Sequence, residues 1–335
     1  MTAQPQSSPL LSVRDLAVHF PIGGQAVVRA VDGVSFDLAR GRTLAIVGES
    51  GSGKTTTALS VLRLADPTGG RIEFDGTDLT ALRGTALRRM RRRLQLVFQD
   101  PYSSLNPRQR AGDIVRAPLD LMHIDPPGGR VARVALMFEL VGLRPEQRQL
   151  YPHQFSGGQR QRLNIARALA SAPDLIVCDE PVSALDIAIR AQILNLLRRI
   201  QREQSQSFLF ISHDMAVVEH VCDDIAVMYL GKIIERATRQ AFFSRPLHPY
   251  SVALMSAVPT VKGGRDAAAR RVRLTGDPPS PVNPPPGCRF AGRCPVAQPL
   301  CAAQEPPLRE AAPGHHVACH FVESRHGAAV SPLQA

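Results

Sequence analysis

Short apolar runs separated by segments of helical spacing set the order of elements along this chain. Alternating or fully apolar runs predict strands at 11–20, 27–38, 43–47, 94–98, 175–178 and 208–211. Helical spacing predicts helices at 54–64, 129–141, 159–171 and 189–203, with an Arg-rich helix after residue 83. Strands that alternate with helices predict an α/β fold, with a parallel sheet covered by helices on both faces.

The most informative motif follows the apolar run at 44–47. Residues 48–55 read Gly-Glu-Ser-Gly-Ser-Gly-Lys-Thr, a complete phosphate-binding loop between a predicted strand and a predicted helix. The glycines let backbone N–H groups turn toward a phosphate, Lys54 brings positive charge to the β- and γ-phosphate oxygens, and the Thr55 hydroxyl suits Mg²⁺. The alternative is a Gly/Ser-rich turn, which the strand–loop–helix context disfavours. The predicted nucleotide contacts are Gly48, Ser50, Gly51, Ser52, Gly53, Lys54, Thr55 and Thr56.

Two adjacent carboxylates, Asp179 and Glu180, end the apolar strand that starts at residue 175. Acidic pairs at strand ends are common on protein surfaces, but a phosphate-loop fold requires a metal-holding acid of this kind. We therefore expect Asp179 to hold Mg²⁺ and Glu180 to polarise an attacking water.

A second glycine-rich segment, Phe-Ser-Gly-Gly-Gln at 155–159, precedes a predicted helix. Ser156 can cap this helix, and the glycines let backbone N–H groups approach a phosphate at the positive end of the helix dipole. The pentapeptide resembles the signature motif of the ATP-binding-cassette (ABC) ATPases, with Phe155 where leucine is usual. The resemblance implies that Ser156, Gly157, Gly158 and Gln159 complete the nucleotide site of a partner subunit, in a head-to-tail dimer that encloses two ATP molecules.

The remaining landmarks of the ABC family are present in the family's order. Gln99, after the strand at 94–98, matches the glutamine that senses Mg²⁺ and the membrane subunits, and Asp186 matches the loop that crosses the dimer interface. His213 matches the switch histidine that contacts the γ-phosphate, although a lone histidine is more often structural. Phe20 matches the aromatic residue on which the family stacks adenine, although it could equally be a core residue.

The resemblance covers about residues 10–325, and three segments of the chain resemble one branch of the family in particular. Segments 98–108, 151–162 and 248–250 resemble the oligopeptide/dipeptide importer branch. This implies ATP and Mg²⁺ as cofactors and an ABC-type phosphate-loop ATPase domain over 1–258, with a RecA-like α/β core, an antiparallel β subdomain and a helical subdomain at about 100–172. The implied cargo is di- or oligopeptides, with nickel or another small solute as the alternative. The implied partners are two transmembrane permease subunits, a second ATP-binding subunit in a heterodimer or homodimer, and, indirectly, an extracytoplasmic solute-binding protein.

A small, irregular, Cys-rich C-terminal domain is predicted over 259–335. Between residues 276 and 313 lie 11 of the chain's 28 prolines, a density that excludes long helices and central strands. The four cysteines of this region are spaced C-x5-C-x6-C-x17-C, without the C-x2-C pairs of ordinary zinc sites. Because related importer ATPases carry a four-cysteine iron–sulfur cluster at a similar place, we expect a [4Fe-4S] cluster in a structural role, with zinc or free thiols as alternatives. The expected ligands are Cys288, Cys294, Cys301 and Cys319, for which His315, His316 or His320 could substitute.

Net charge bears on the choice of partners. The formal net charge is +11 and its densest run lies at 88–93, which admits a nucleic-acid partner. The chain has no tryptophan and only four tyrosines, so stacking platforms for single-stranded nucleic acid are sparse, and basic charge also suits an anionic membrane surface. We expect no nucleic acid partner, and the alternative of a different class is a soluble ABC ATPase acting on nucleic acid or ribosomes.

The expected location follows from two further features of the sequence. No apolar stretch approaches the roughly 18 residues that span a bilayer, and the amino-terminal residues carry no basic segment followed by an apolar one. Together with the family resemblance, this predicts a peripheral protein on the cytoplasmic face of the bacterial inner membrane.

Overall fold

The computed structural model describes residues 8–24, 26–257, 272, 274, 276–277, 279–325 and 328–333. Within them, no helix is long and apolar enough to cross a membrane. The helices are α1 (Lys54–Val61), α2 (Gly84–Arg91), α3 (Ala111–Leu121), α4 (Gly129–Leu140), α5 (Gly157–Ala170), α6 (Ile187–Gln204), α7 (Met215–Val221), α8 (Arg239–Ser244), α9 (Pro249–Ser256) and α10 (Pro299–Ala303). The strands are β1 (Leu11–Pro21), β2 (Val27–Leu38), β3 (Thr43–Val47), β4 (Gly69–Phe74), β5 (Thr77–Asp78), β6 (Leu94–Val97), β7 (Leu175–Asp179), β8 (Ser207–Ser212), β9 (Asp224–Tyr229), β10 (Lys232–Thr238), β11 (Arg309–Ala312), β12 (His315–Val317), β13 (Glu323–Arg325) and β14 (Ala328–Val330).

The chain divides into two compact units. The first comprises Met1–Leu11, Leu38–Thr43 and Glu73–Ile211, and the second comprises Ser12–Asp37, Leu44–Ile72 and Ser212–Ala335. Each unit is described by itself.

In the first unit, strands β6, β7 and β8 lie side by side and run parallel. Every residue of β7 and β8 is buried, as expected of parallel strands covered on both faces. Helices α3, α4 and α5 pack on one another, and α5 buries apolar residues such as Leu163 and Ile165. The helices predicted at 129–141 and 159–171 are present as α4 and α5, and the turn-rich segment before α3 lacks regular structure.

In the second unit, one sheet has the order β11-β12-β10-β9-β3. Strand β3 is fully buried and pairs parallel with β9, which in turn forms an antiparallel pair with β10. Strands β2, β1 and β4 are neighbours in a second sheet. The predicted strands at 11–20, 27–38 and 43–47 correspond to β1, β2 and β3.

The prediction of an irregular C-terminal extension is wrong in one respect. Strands β12 and β11 continue the sheet beyond β10, with Val317 opposite Glu235. This pairing satisfies backbone groups that an edge strand would leave open. A small apolar cluster, in which Val317 and Val322 are buried, supports the extension. The predicted domain boundary at 258/259 lies outside the described residues.

Candidate functional site

The phosphate loop sits where β3 ends and α1 begins, and close packing requires glycine at two of its positions. A Cβ on Gly48 would lie 2.1 Å from the carbonyl oxygen of Met228, and a Cβ on Gly53 would lie 2.1 Å from that of Ala30. Both glycines also have positive φ angles, of 155° and 102°. The backbones of β9 and β2 therefore hold both ends of the loop in place.

Lys54 is the buried cation of this loop. Its side chain is only 5% exposed, and its Nζ donates to the carbonyl oxygens of Gly48 at 2.8 Å and Glu49 at 2.7 Å. The first-turn N–H groups of a helix have no intrahelical partner, so the start of α1 attracts an anion. Ser52 is buried as well, whereas Ser50 and Thr55 are exposed. The curled loop, the helix start and the lysine together form an anion site.

In the first unit, the structure brings Glu180 and Gln99 together. Gln99 follows β6 and Glu180 follows β7, so neighbouring parallel strands deliver both residues to one edge. The Gln99 amide nitrogen Nε2 donates to Glu180 Oε2 at 3.1 Å. The Glu180 N–H donates to the Ile211 carbonyl at 3.0 Å, and Glu180 has a φ of 44°. A non-glycine residue in this region costs of order 1 kcal/mol, and such strain concentrates at functional sites.

Asp179 is the last residue of β7 and is 9% exposed. An almost buried carboxylate at a strand end is a suitable oxygen ligand for Mg²⁺. The backbone of the neighbouring residue, Glu180, is also hydrogen-bonded: the Ser183 hydroxyl donates to the Glu180 carbonyl at 3.0 Å. This bond closes the turn that follows β7.

The start of α5 is built differently from that of α1. Ser156 is exposed and accepts a hydrogen bond from the Gln159 N–H, while the Gln159 side chain accepts one from the Ser156 N–H at 3.0 Å. This capping box leaves the N–H groups of Gly157 and Gly158 without a cap partner. Phe155, which stands where the family has leucine, is 3% exposed and serves as an apolar anchor.

Three further predicted site residues lie at element boundaries. Asp186 is exposed at the start of α6, where its side chain makes no capping bond. His213 is exposed between β8 and α7. Phe20 is 44% exposed, which excludes the alternative that it is a core residue.

The four C-terminal cysteines line one small cavity together with His248, Phe290 and His320. Burial raises the pKa of the Cys288 thiol to about 11, helped by the neighbouring cysteines, and burial also raises the pKa values of Cys294 and Cys319. These thiols therefore become thiolate ligands only when a cation compensates the charge.

Two of the predicted substitute ligands, His315 and His320, have hydrogen-bond partners of their own. His315 Nε2 lies 2.7 Å from the carboxylate of Glu235, and His320 Nε2 contacts the Gln304 carbonyl at 3.0 Å. Burial lowers the pKa of His248 to about 3, so the ring is neutral, and its Nδ1 accepts from the Tyr250 N–H at 3.0 Å.

The donor set bears on the kind of metal centre. Among the described residues, no three His, Cys, Asp or Glu side chains group closely enough to hold one ion. A tetrahedral zinc site needs sulfurs about 3.8 Å apart, from Zn–S bonds of about 2.3 Å, whereas a four-iron cluster takes each thiolate on a different iron and spaces them wider. The cavity measures about 20 Å³, roughly the room of one water, so a cluster enters only if the lining side chains move outward.

The sequence analysis missed the residues that hold the phosphate loop from outside. Glu49 is bound by Tyr250 and by Arg293, both far along the chain. Of these residues, only Tyr250 lies in a segment that the sequence analysis named, and that segment, 248–250, indicated the importer branch without predicting a contact with the loop.

Two protein-family models match this chain. The model described as "ABC transporter" matches residues 31–183, and the one described as "Oligopeptide/dipeptide transporter, C-terminal region" matches residues 234–301. A Brucella ovis protein, whose name assigns it provisionally to peptide import as an ATP-binding protein, is 51% identical over 93% of this chain and 98% of its own length. The oligopeptide transport ATP-binding protein AppF of Bacillus subtilis is 47% identical over 96% of this chain and 99% of its own.

Solved structures agree with these matches. The ATP-binding cassette MJ0796, in a dimeric post-hydrolysis state bound to ADP and Pi, superposes with a TM-score of 0.62 at 27% identity, over 68% of this chain and 98% of its own. CbiO1 of Clostridium perfringens, part of the ABC transporter complex cbiONQ, superposes with a TM-score of 0.64 at 26% identity, over 71% of this chain and 92% of its own. The fold and the phosphate loop define an ABC-type phosphate-loop ATPase, which confirms that part of the predicted fold; the separate Cys-rich C-terminal domain is not supported, since residues 212–335 belong to the second compact unit. The chain belongs to the ABC transporter ATP-binding subunits that carry the oligopeptide/dipeptide transporter C-terminal region.

Proposed function

We propose that this chain hydrolyses ATP to drive import of di- or oligopeptides through a membrane ABC transporter. The observation that carries the proposal is the combination, in one chain, of the phosphate loop of an ABC ATPase and the oligopeptide/dipeptide transporter C-terminal region. The names of relatives that align over nearly their full length support the same cargo. Nickel or another small solute is the alternative cargo for the same machinery.

The proposed nucleotide contacts follow from the chemistry of each residue. Loop N–H groups and Lys54 bind the phosphates, because donors and a positive charge surround that space. Phe20 presents an exposed aromatic face to adenine. His213, exposed after β8, contacts the γ-phosphate. The remaining loop residues in this role are Gly48, Ser50, Gly51, Ser52, Gly53, Thr55 and Thr56.

Hydrolysis needs a metal and an oriented water. Thr55, Gln99 and Asp179 are the proposed Mg²⁺ ligands, since they offer the oxygen donors that Mg²⁺ prefers. Glu180 is the proposed general base, and the hydrogen bond from Gln99 fixes its carboxylate. Gln99 would then contact both the Mg²⁺, through its amide oxygen, and the carboxylate of Glu180, through its amide nitrogen.

The exposed start of α5 is proposed to act on a nucleotide held by another ATP-binding subunit. The proposed contacts are Ser156, Gly157, Gly158 and Gln159, of which Gly157 and Gly158 offer the N–H groups that the capping box does not use. Asp186 lies exposed in the proposed dimer-crossing loop. The partner is a second ATP-binding subunit, different or identical, and two permease subunits complete the transporter. The chain would then act from the cytoplasmic face of the inner membrane.

Affinity purification of the full chain from native membranes in mild detergent tests this function. We expect two multi-span permease subunits to co-purify, with a second ATP-binding subunit if the dimer is a heterodimer. The control is the Lys54→Ala chain, which should assemble but lose ATP-dependent peptide uptake. Recovery only with ribosomes or DNA would overturn the proposal in favour of a soluble ABC ATPase.

We further propose that Cys288, Cys294, Cys301 and Cys319 hold a [4Fe-4S] cluster. Their shared cavity and their need for a compensating cation support this assignment. Such a cluster would supply a cross-link in a region with a small core. Iron and sulfide in equal amounts in anaerobically purified protein, lost in Cys294→Ser but kept in Cys222→Ala, is the expected result. Stoichiometric zinc without iron would contradict it.

A further inference from the structure

Glu49 is the second residue of the phosphate loop, and residues much later in the chain form hydrogen bonds with both its backbone N–H and its carboxylate. Its backbone N–H donates to the Tyr250 hydroxyl oxygen at 2.9 Å. Its carboxylate accepts two hydrogen bonds from the Arg293 guanidinium, at 2.7 Å and 3.2 Å. Arg293 is 9% exposed and Glu49 is 30% exposed, so this forked ion pair is partly shielded from water.

The groups that hold Glu49 are themselves part of a packed cluster. Tyr229, Tyr250 and Phe290 form a buried aromatic cluster, with ring centroids 4.8 to 5.5 Å apart. Arg293 donates to the Tyr229 hydroxyl at 3.4 Å. The buried Tyr229 thus gives Arg293 a second hydrogen-bond partner beside Glu49.

The segment that carries Arg293 begins at Cys288 and ends at Cys294, and both cysteines line the C-terminal cavity. The Cys288 N–H donates to the Cys301 carbonyl at 2.7 Å. Arg289, in the same segment, forms an ion pair with Asp32. Each end of this segment is therefore held by a cysteine of the cavity and by an adjacent arginine in an ion pair.

Displacement of Glu49 would reach the phosphate site through the backbone. The Glu49 carbonyl accepts from Lys54 Nζ at 2.7 Å and from the Ser52 N–H at 3.3 Å. A shift of the Glu49 carbonyl would therefore move the hydrogen-bond acceptor of Lys54 and of Ser52, two residues of the proposed phosphate site. A released carboxylate would also place unpaired negative charge beside the phosphates.

We propose that Arg293 is a positioning residue of the nucleotide site, which acts through Glu49 and makes ATP affinity depend on the order of the 288–294 segment. The proposal rests on the assignment of the phosphate loop to ATP. Holding the loop in its bound form before the nucleotide arrives removes an ordering cost from binding. The effect falls on affinity, because Arg293 touches no reacting atom.

The first test compares ATP affinity and turnover in the intact transporter. Arg293→Gln removes the charged fork, and we expect the Kd for ATP to rise about 5- to 20-fold while kcat at saturating ATP stays within about 2-fold. Arg293→Lys keeps the charge without the fork and should recover part of the affinity. The matched control is Lys232→Ala, which breaks the Lys232–Glu305 ion pair between β10 and the extension without touching the loop. An equal loss of affinity in Lys232→Ala and Arg293→Gln would overturn the proposal.

A double-mutant cycle separates the pair from general damage. Glu49→Gln and Arg293→Gln should each weaken ATP binding, and the double variant should be no weaker than the worse single variant. Additive losses would contradict coupling through this ion pair. If Arg293→Gln lowers the melting temperature strongly, Arg293→Lys and Glu49→Gln carry the same comparison.

The reverse direction of the coupling provides an independent readout. Binding linkage is reciprocal, so a non-hydrolysable ATP analogue should slow amide hydrogen exchange in residues 288–294 of the wild-type chain and have less effect in Arg293→Gln. Unchanged exchange in the wild type on analogue binding would overturn the inference. The Lys54→Ala variant separates the two proposals. Unaltered ATP affinity in Lys54→Ala would contradict the assignment of the loop to ATP. Loss of ATP affinity in Lys54→Ala together with normal ATP affinity in Arg293→Gln would contradict only the role of Arg293.

Discussion

The two glycine-rich helix starts of this chain look alike in sequence but differ in support. The phosphate loop before α1 is packed against strand backbones and is held from outside through Glu49. The start of α5 is exposed at Ser156, where its own capping box closes the helix, although Gly158 behind it packs against Ile189. A phosphate site fixed by tertiary contacts is complete in its own chain, whereas one that is capped locally and exposed is available to another molecule. The packing around each motif, more than the motif itself, separates a site that binds nucleotide in its own chain from one that serves a partner chain. The predicted roles of the two helix starts follow from this difference.

The largest effect is expected at Glu180, which separates nucleotide binding from turnover. Glu180→Gln removes the general base while keeping the shape of the side chain, so kcat for ATP hydrolysis should fall about 10²- to 10⁴-fold. The Kd for ATP should remain within about 2-fold of the wild-type value, because binding belongs to the phosphate loop. A steady-state ATPase assay measures the kcat, and an equilibrium binding titration measures the Kd for ATP. Robust ATPase activity in this variant would contradict the role of Glu180.

A methyl group on Gly53 should break the tightly packed loop. The added Cβ would lie 2.1 Å from the Ala30 carbonyl oxygen, in a backbone conformation with φ of 102°. Strain of about 1 to 3 kcal/mol corresponds to about a 5- to 150-fold rise in the Kd for ATP. Gly51→Ala is the matched control, since it has positive φ but nothing within 4 Å of the new Cβ. Equal losses in both variants would show that packing is not what holds the loop.

The smallest effect is expected where the second helix start is open. A Cβ on Gly157 meets no atom closer than 3.6 Å, so Gly157→Ala should change the free energy of unfolding by less than about 0.5 kcal/mol. Gly158→Ala, whose Cβ would lie 2.4 Å from Ile189 Cγ2, should cost about 1 to 3 kcal/mol. Thermal unfolding of the two variants checks the difference. Similar destabilisation by both would mean that the helix start is packed throughout.

Most of the fold and of the candidate site could be predicted from local sequence motifs. The loop at 48–55 and the carboxylates after β7 were predictable because their spacing and flanking strands are local properties. The C-terminal strands were not, because β12 is only three residues long and becomes a strand by pairing with β10. The contact between Glu49 and Arg293 spans 244 residues of sequence, and no local pattern reports such a distance.

The measurement that tests the central claim most directly is ATP affinity and turnover in Lys54→Ala and Ser156→Arg, compared side by side. Lys54→Ala removes the buried cation of the loop and should raise the Kd for ATP about 10- to 100-fold, with loss of turnover. Ser156→Arg places a bulky charge on an exposed surface, so the isolated chain should bind ATP within about 2-fold of the wild type while the assembled transporter loses turnover. Equal loss of ATP affinity in the two isolated variants would contradict the claim that one site is completed in its own chain and the other serves a partner.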